Sequence, residues 1–186
     1  MKIVAGQYGG RRLSVPKGRD VRPTSDKVRA AVFNMLESRR AVADAHVLDA
    51  FCGTGALGLE AISRGAKSCH FVDKARESLQ CARDNAQMLG VEDVVQFRMK
   101  DVLKIGVRPT EDAPYDLIFL DPPYNKGFIA DMLNGLKEGG WCAPGCWIIC
   151  ETEKQFSLPE NFGFYLDAEK LYGNIKVTLL LSLIHI

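Results

Sequence analysis

The sequence predicts an α/β fold: a Rossmann-like, doubly wound domain with a mostly parallel sheet. From His46 onward, short apolar runs alternate with helical patterns, which indicates parallel strands covered by helices on both faces. A glycine-rich loop joins the first of these runs to the first helix. Two strand-like runs then flank Tyr172-Gly173-Asn174 and predict a C-terminal antiparallel hairpin.

The first 40 residues predict a small N-terminal extension made of a β-hairpin and a helix. Ile3–Ala5 and Arg12–Val15 flank a turn rich in glycine, as expected for two paired strands. Thr24-Ser25-Asp26 offers N-cap residues for the helix that follows. We therefore expect an extension over residues 1–40 and a domain over residues 41–186.

The predicted elements of the domain follow in chain order, with Gly90 as a helix stop. The strand-like runs are His46–Phe51, Ser68–Val72, Val94–Met99, Leu117–Leu120, Trp147–Cys150, Gly163–Leu171 and Ile175–Leu183. The helix-like runs are Ala56–Ser63, Ala75–Leu89 and Phe128–Leu136.

The charge distribution is uneven although the net charge is only +1. The first 40 residues hold ten basic residues against three acidic ones, which is typical of an appendage that binds a polyanion. A solvated charged surface is the alternative. The candidate nucleic-acid-binding residues are Arg11, Arg12, Arg22, Lys27 and Arg29, together with Thr24.

Composition also bears on compartment and metal binding. No run approaches the roughly 20 apolar residues of a membrane span, and the N-terminus has no signal-peptide pattern, so we expect a cytoplasmic protein. The six cysteines are expected to be reduced and buried. Cys142, Cys146 and Cys150 recur every four residues, but Pro144 and Gly145 interrupt any helix that could align them as metal ligands. We expect no metal site.

The loop after the first strand predicts a cofactor site. Gly53, Gly55 and Gly58 fit G-x-G-x-x-G, in which glycines let the backbone approach a ligand beside a helix N-terminus. The pattern fits NAD, FAD or S-adenosylmethionine, and a tight strand–helix turn is the alternative. The candidate cofactor-binding residues here are Asp49, Phe51, Cys52, Gly53, Thr54 and Gly55.

Two further carboxylates follow the next strands. Asp73, followed by Lys74, ends the second strand, where a carboxylate can bind ribose hydroxyls. Asp101 follows the third strand and could accept a hydrogen bond from an adenine amino group, with the Val102 backbone as donor. A helix-capping aspartate and a turn aspartate are the respective alternatives.

Asp121-Pro122-Pro123-Tyr124 follows a buried strand and predicts the catalytic site. Proline removes N–H donors, so carbonyl oxygens and the Asp121 carboxylate remain as acceptors for a planar amino group. Holding both N–H groups of an exocyclic amine aims its lone pair at a methyl donor, and Asp121 can also take the proton and contact the cofactor. The Tyr124 ring could stack on a flipped-out base. A chance proline-rich strand end is the alternative.

The sequence resembles the RsmD family, bacterial methyltransferases that act on guanine N2 of 16S rRNA. The matching segments are Ile3–Gly6 with Gly10–Leu13, Arg22–Thr24 through Arg29 with Phe33–Leu36, Leu48–Ala61 with Ser63–Ala66, and Asp121–Tyr124. The last motif is shared with DNA adenine-N6 methyltransferases, so the N-terminal segments make the resemblance specific.

The resemblance implies a class I methyltransferase fold with S-adenosyl-L-methionine at the glycine loop, Asp73 and Asp101, and the target base at Asp121–Tyr124. It also implies a substrate that is 16S rRNA in a partly assembled 30S subunit, with Arg22-Pro23-Thr24 near the active site. We expect a monomer. Three other functions stay open from the residues: a DNA adenine-N6 or other amino-methyltransferase, a nucleotide-dependent oxidoreductase, and a non-catalytic RNA-binding assembly factor.

Overall fold

A computed structural model of the protein describes residues 1–15, 25–123, 128–158 and 162–183. The described residues form one seven-stranded sheet with four α-helices. The helices α1 to α4 are Asp26–Ser38, Ala56–Ser63, Arg76–Leu89 and Phe128–Glu138. The strands β1 to β7 are His46–Ala50, Ser68–Asp73, Val95–Met99, Tyr115–Leu120, Cys142–Glu153, Tyr165–Tyr172 and Ile175–Leu181.

The strand order is β3-β2-β1-β4-β5-β7-β6. The first five strands are parallel, and β7 runs antiparallel between β5 and the edge strand β6. The predicted mostly parallel sheet and C-terminal antiparallel hairpin are therefore confirmed. β5 begins earlier than predicted, at Cys142, because an irregularity in its pairing with β4 takes up the extra residues around Pro144 and Gly145.

Two hydrophobic clusters cover the two faces of the sheet, as strands buried on both sides require. Leu117 and Phe119 of β4 lie in the cluster that takes residues from α1, α2 and α3. Ile118 and Leu120, which alternate with them, lie in the cluster that takes residues from α4. This arrangement leaves the carboxyl ends of the strands available for a ligand site.

The N-terminal extension packs onto the same domain. Lys2 and Arg12 form an antiparallel bridge, so the predicted hairpin is present, but as a single bridge. Ile3 and Leu13 are buried in the first cluster together with the apolar face of α1. Residues on both sides of position 40 thus share one core, and an RNA-contact unit over residues 1–40 stays a prediction.

Local sequence explains how the extension and α1 are shaped. Ser25 is the N-cap of α1, as predicted, and its hydroxyl accepts a hydrogen bond from the Val28 N–H at 3.2 Å. Gly6 has φ +83° and lies so close to α2 that a Cβ there would be 1.9 Å from the Ser63 carbonyl oxygen. Only glycine permits this approach.

The remaining sequence predictions concern cysteines, metals and membranes. All six cysteines are free and buried. The described residues contain no group of three or more His, Cys, Asp or Glu side chains that could hold a metal ion. None of the helices in the described part of the chain is long and apolar enough to cross a membrane.

Candidate active site at the carboxyl edge of the sheet

The register of the parallel strands brings the predicted site residues to one edge. Ala50 of β1 pairs with Val72 of β2 and with Leu120 of β4. The residues that follow these three strands, or end them, therefore lie side by side. Phe51, Asp73 and Asp121 meet in this way, and Asp101 follows β3, whose last residue pairs with Asp73.

The glycine loop turns sharply between β1 and α2. Phe51, Gly53 and Gly55 have φ of 62°, 53° and 77°, so the chain enters the left-handed region three times in five residues. Phe51 is not glycine, and such backbone conformations in other residues are uncommon and cluster at functional sites. Phe51 is therefore the residue of the loop that holds backbone strain.

The three glycines of the motif have different roles. A Cβ at Gly58 would lie 2.4 Å from the Phe71 ring, and one at Gly55 would lie 3.1 Å from the Ala82 Cβ, so both allow helices to pack closely on β2 and α3. A Cβ at Gly53 would have no neighbour closer than 3.9 Å. Gly53 therefore marks the open side of the loop, where a ligand can approach the backbone.

Asp73 fastens the loop to the end of β2. One carboxylate oxygen accepts a hydrogen bond from the Gly53 N–H at 3.1 Å, and the other accepts from the Ala75 N–H at 2.8 Å. The second contact lies at the N-terminus of α3, where the alternative role of a helix-capping aspartate would place it. Each oxygen can accept more than one hydrogen bond, so a half-buried Asp73 can still bind a hydroxyl. Lys74 next to it is exposed.

Asp49 is a buried carboxyl of β1 that binds the first turn of α2, next to the loop. Its side chain is 2% exposed, and one oxygen accepts a hydrogen bond from the Gly58 N–H at 2.9 Å. Burial raises the pKa of Asp49 to about 8, the Gly58 hydrogen bond opposes this, and the charge of Asp73 adds to it. A cationic ligand in the loop would favour the ionised form of this carboxyl.

Two other predicted loop residues direct their side chains into the protein. Cys52 is buried, and burial together with the charges of Asp49 and Asp73 holds the pKa of its thiol well above the ordinary range. The neutral thiol is a poor nucleophile. The Thr54 hydroxyl lies 3.6 Å from the Met1 sulfur and donates towards it. A ligand in the loop would therefore meet backbone more than these side chains.

The ends of β3 and β4 complete the edge. Asp101 accepts a hydrogen bond from the Leu103 N–H at 3.2 Å, as a turn aspartate does, and stays half-buried, while Val102 is buried. After β4, Asp121 is half-buried, Pro122 is buried and Pro123 is exposed. Tyr124 lies outside the described residues.

The candidate RNA-binding residues divide into three groups. Arg11, Arg12 and Lys27 are exposed. Arg22 and Thr24 lie outside the described residues. Arg29 is fully buried, so the prediction that it contacts RNA is wrong for this structure.

The physical reason for this correction is an internal ion-pair network. The Arg29 guanidinium donates to Asp26 at 2.8 Å and to the Lys2 carbonyl, and it lies 3.5 Å from the Glu60 carboxylate. Charges buried in this way are paired because the interior solvates them poorly. Arg29 therefore joins α1 to the hairpin and to α2.

Sequence reasoning missed the side chains that hold the extension. Glu60 accepts hydrogen bonds from the Val4 and Ala5 N–H groups at 2.7 and 3.0 Å, and Ser63 accepts one from the Tyr8 N–H at 3.0 Å. For Glu60 the sequence did offer a signal, because this glutamate lies in an apolar helix four residues before Arg64, with which it pairs. Asn85 in α3, which accepts a hydrogen bond from the Ser14 N–H at 2.7 Å, had no such signal.

Comparisons with known proteins identify the family of the chain. The family described as "Conserved hypothetical protein 95" matches residues 1–181. Ribosomal RNA small subunit methyltransferase D of Escherichia coli is 33% identical, over 96% of this chain and 88% of that protein. The protein of the same name from Haemophilus influenzae is 32% identical, over 96% and 92%.

A solved structure gives the same result. The yhhF protein of Escherichia coli superimposes with a TM-score of 0.84 at 32% identity, over 98% of this chain and 97% of that one. The match extends over the N-terminal extension, the glycine loop and the Asp121 motif. This chain therefore belongs to the family of ribosomal RNA small subunit methyltransferase D.

Proposed function

We propose that this protein transfers a methyl group from S-adenosyl-L-methionine to the exocyclic N2 of a guanine in bacterial 16S rRNA, within the assembling small ribosomal subunit. The observation that carries the proposal is the meeting of two motifs at one sheet edge. The glycine loop with Asp73 lies on one side of the edge, and Asp121-Pro122-Pro123 follows the adjacent strand β4. Family relatives named for small-subunit rRNA supply the substrate class.

The residues at this edge fit the cofactor. The open side of Gly53 admits a ligand to the backbone, Asp73 offers acceptors for ribose hydroxyls, and Asp101 with Val102 offers an acceptor and a donor for adenine. Exposed Lys74 and half-buried Phe51 flank this space. When bound, S-adenosylmethionine supplies an electrophilic methyl group on a positively charged sulfur.

Asp121 and Pro122 would act on the amino group of guanine. Its lone pair is delocalised into the ring, so the amine is a weak nucleophile. The Asp121 carboxylate and the Pro122 carbonyl would each accept one N–H hydrogen bond, which favours a pyramidal nitrogen with its lone pair on the free side. As the N–C bond formed, the bond between that methyl group and the cofactor's sulfur would break and leave its electron pair on the sulfur, and the nitrogen would lose a proton to Asp121 or to water.

No covalent intermediate on the protein is needed for this reaction. Among the described residues, the Cys52 thiol is the nucleophile that lies in the loop itself, and its raised pKa keeps it protonated and inert. The proposed roles of Asp121 and Pro122 are then to bind and orient the amine and, for Asp121, to accept its proton.

Substrate binding would use the extension. Arg11, Arg12 and Lys27 are exposed and basic, as contacts to RNA phosphates require. Arg22, Thr24 and Tyr124 remain proposed contacts to RNA and to the target base. The protein is proposed to act as a cytoplasmic monomer on the particle.

A labelled-methyl assay tests the proposal. Labelled S-adenosylmethionine is offered in parallel with unmethylated 30S particles, naked 16S rRNA and double-stranded DNA, and the products are digested to nucleosides. Label in N2-methylguanosine from particles supports the proposal. Label in N6-methyladenine from DNA would mean that the same site methylates adenine in DNA. Absence of transfer to all three substrates would favour a non-catalytic RNA-binding assembly factor.

A further inference from the structure

Asn85 lies in α3, outside the motifs that carry the proposed chemistry, yet its buried amide meets both of the regions that the proposed function uses. The side chain is 0% exposed. Its amide nitrogen donates to the Thr54 carbonyl of the glycine loop at 2.9 Å. The same nitrogen donates to the Ser14 carbonyl of the extension at 3.1 Å, and its oxygen accepts from the Ser14 N–H at 2.7 Å.

These contacts give a partner to each polar atom of the Asn85 side-chain amide. An Asn side chain offers two donors and one acceptor oxygen, and here both N–H groups and the oxygen have partners. Towards Ser14 the amide forms a two-way pair of hydrogen bonds, as a neighbouring strand would. Towards the loop it holds the carbonyl of the residue between Gly53 and Gly55, where the backbone has the greatest conformational freedom.

Two further contacts join the same regions. The Thr54 hydroxyl donates towards the Met1 sulfur at 3.6 Å, and the Cys81 thiol donates to the Ser14 carbonyl at 3.3 Å. The extension thus contacts the loop through Met1, and it contacts α3, which binds the loop, through Ser14. At its turn, by contrast, the extension is held by Ser63 on α2, whose hydroxyl donates to the Ala5 carbonyl at 2.6 Å.

We infer that Asn85 is a positioning residue that fixes the glycine loop in its ligand-ready shape and ties that shape to the N-terminal extension. The inference deepens the proposed function, because it rests on the loop being the S-adenosylmethionine site. Without the amide, the Thr54 carbonyl and both Ser14 backbone groups lose buried partners, which selectively loosens the loop.

Hydrogen exchange on the ligand-free protein tests the positioning role directly. We compare Asn85→Ala with Ser63→Ala, a matched control that removes a buried side-chain anchor of the same extension. Asn85→Ala is expected to speed exchange of amides in residues 52–58 by about tenfold. Ser63→Ala is expected to speed exchange in residues 4–10 alone. Equal loop protection in both variants would overturn the inference.

A second variant covers the case in which Asn85→Ala does not fold. Ser14 is exposed, and Ser14→Pro removes its N–H, which donates to the Asn85 side-chain oxygen. The variant is expected to speed hydrogen exchange in the loop about threefold. Unchanged loop exchange in Ser14→Pro would count against the tie between extension and loop.

Calorimetric titration with S-adenosylmethionine then connects the loop to binding. Asn85→Ala is expected to raise the Kd about tenfold, while Ser63→Ala stays within about twofold of the unsubstituted protein. A faster-exchanging loop with an unchanged Kd would overturn the link to the cofactor. Failure of the unsubstituted protein to bind S-adenosylmethionine would instead refute the proposed function, and hydrogen exchange would still decide the positioning role.

Discussion

The glycine loop and the N-terminal extension meet at the same edge of the sheet, but they are held there in opposite ways. The loop donates the Gly53 N–H to Asp73, which ends the adjacent strand β2, and the first turn of α2 donates the Gly58 N–H to Asp49 in β1. The extension is held by side chains of other elements that bind its backbone, chiefly Glu60 and Asn85. The loop is thus held chiefly by carboxylates of the adjacent strands, the extension is held by side chains of the helices, and Asn85 is the side chain that binds both.

This difference separates the expected consequences of substitutions. Changes at the strand ends should alter chemistry or protonation while the fold persists. Changes in the anchors of the extension should alter stability, and changes on its exposed face should alter RNA binding alone. Substitutions in the two regions should therefore be separable by their effects on turnover, stability and RNA binding.

The largest effect is expected at Asp121, beyond the end of β4. Asp121→Ala removes a proposed acceptor of the amino group, so turnover on 30S particles should fall by about 10²–10⁴-fold. Binding of S-adenosylmethionine should be retained, with a far smaller change in its Kd than in turnover, because the loop backbone, Asp73 and Asp101 remain. Single-turnover methyl transfer and calorimetric titration measure the two quantities. Unchanged turnover would remove Asp121 from the proposed mechanism.

The next effect is expected in the anchors. Glu60 is fully buried against Arg29 and Arg64, and Glu60→Ala leaves both guanidinium groups without this partner. The free energy of unfolding should fall by about 3–5 kcal/mol, as measured by urea denaturation. Glu37→Ala is the control, because Glu37 pairs with the same Arg64 from a side chain that is 52% exposed, and it should cost about 1 kcal/mol or less. Similar costs for the two variants would contradict the view that Glu60 anchors the extension.

The two regions also differ in how far sequence could predict them. The strand and helix order, the glycine loop and the strand-end carboxylates were predictable, because apolar periodicity and glycine spacing are local signals. The burial of Arg29 was not, because its partners Lys2 and Glu60 lie about 30 residues away on either side and only packing brings them together. A basic residue on a predicted surface helix therefore looked like an RNA contact. The Asn85 contacts were hidden for the same reason, since Ser14 and Thr54 approach α3 only in the folded chain.

The buried carboxyl below the loop predicts a pH dependence. The pKa of Asp49 is about 8 in the folded protein, against 3.8 for an ordinary aspartate, so between these values the folded state keeps a proton that the unfolded chain releases. Stability of the ligand-free protein should therefore fall as pH rises through this window, by at most about 1.4 kcal/mol per pH unit from this group, and level off above pH 8.

Asp49→Asn should remove that contribution while still accepting from the Gly58 N–H. Urea denaturation at pH 5 to 9 compares the two proteins, and the gain in stability of the variant should grow with pH up to about 8. A constant difference across this range would mean that Asp49 is ionised in the fold. The loop would then be held by a charge and not by a neutral carboxyl.

The smallest effect is expected on the exposed face of the extension. Replacing Arg11 and Arg12 together by Ala removes two exposed charges, and Arg12 contributes only backbone to the bridge with Lys2. Binding to 30S particles should weaken about five- to tenfold at low salt, and the slope of log K against log salt should become shallower by roughly 1.5, because fewer counterions are released. Lys170→Ala on the edge strand β6 is the control and should leave both quantities unchanged. A loss that is independent of salt, accompanied by a lower urea midpoint, would mean that these arginines support the hairpin instead, and the extension would then be an anchor throughout.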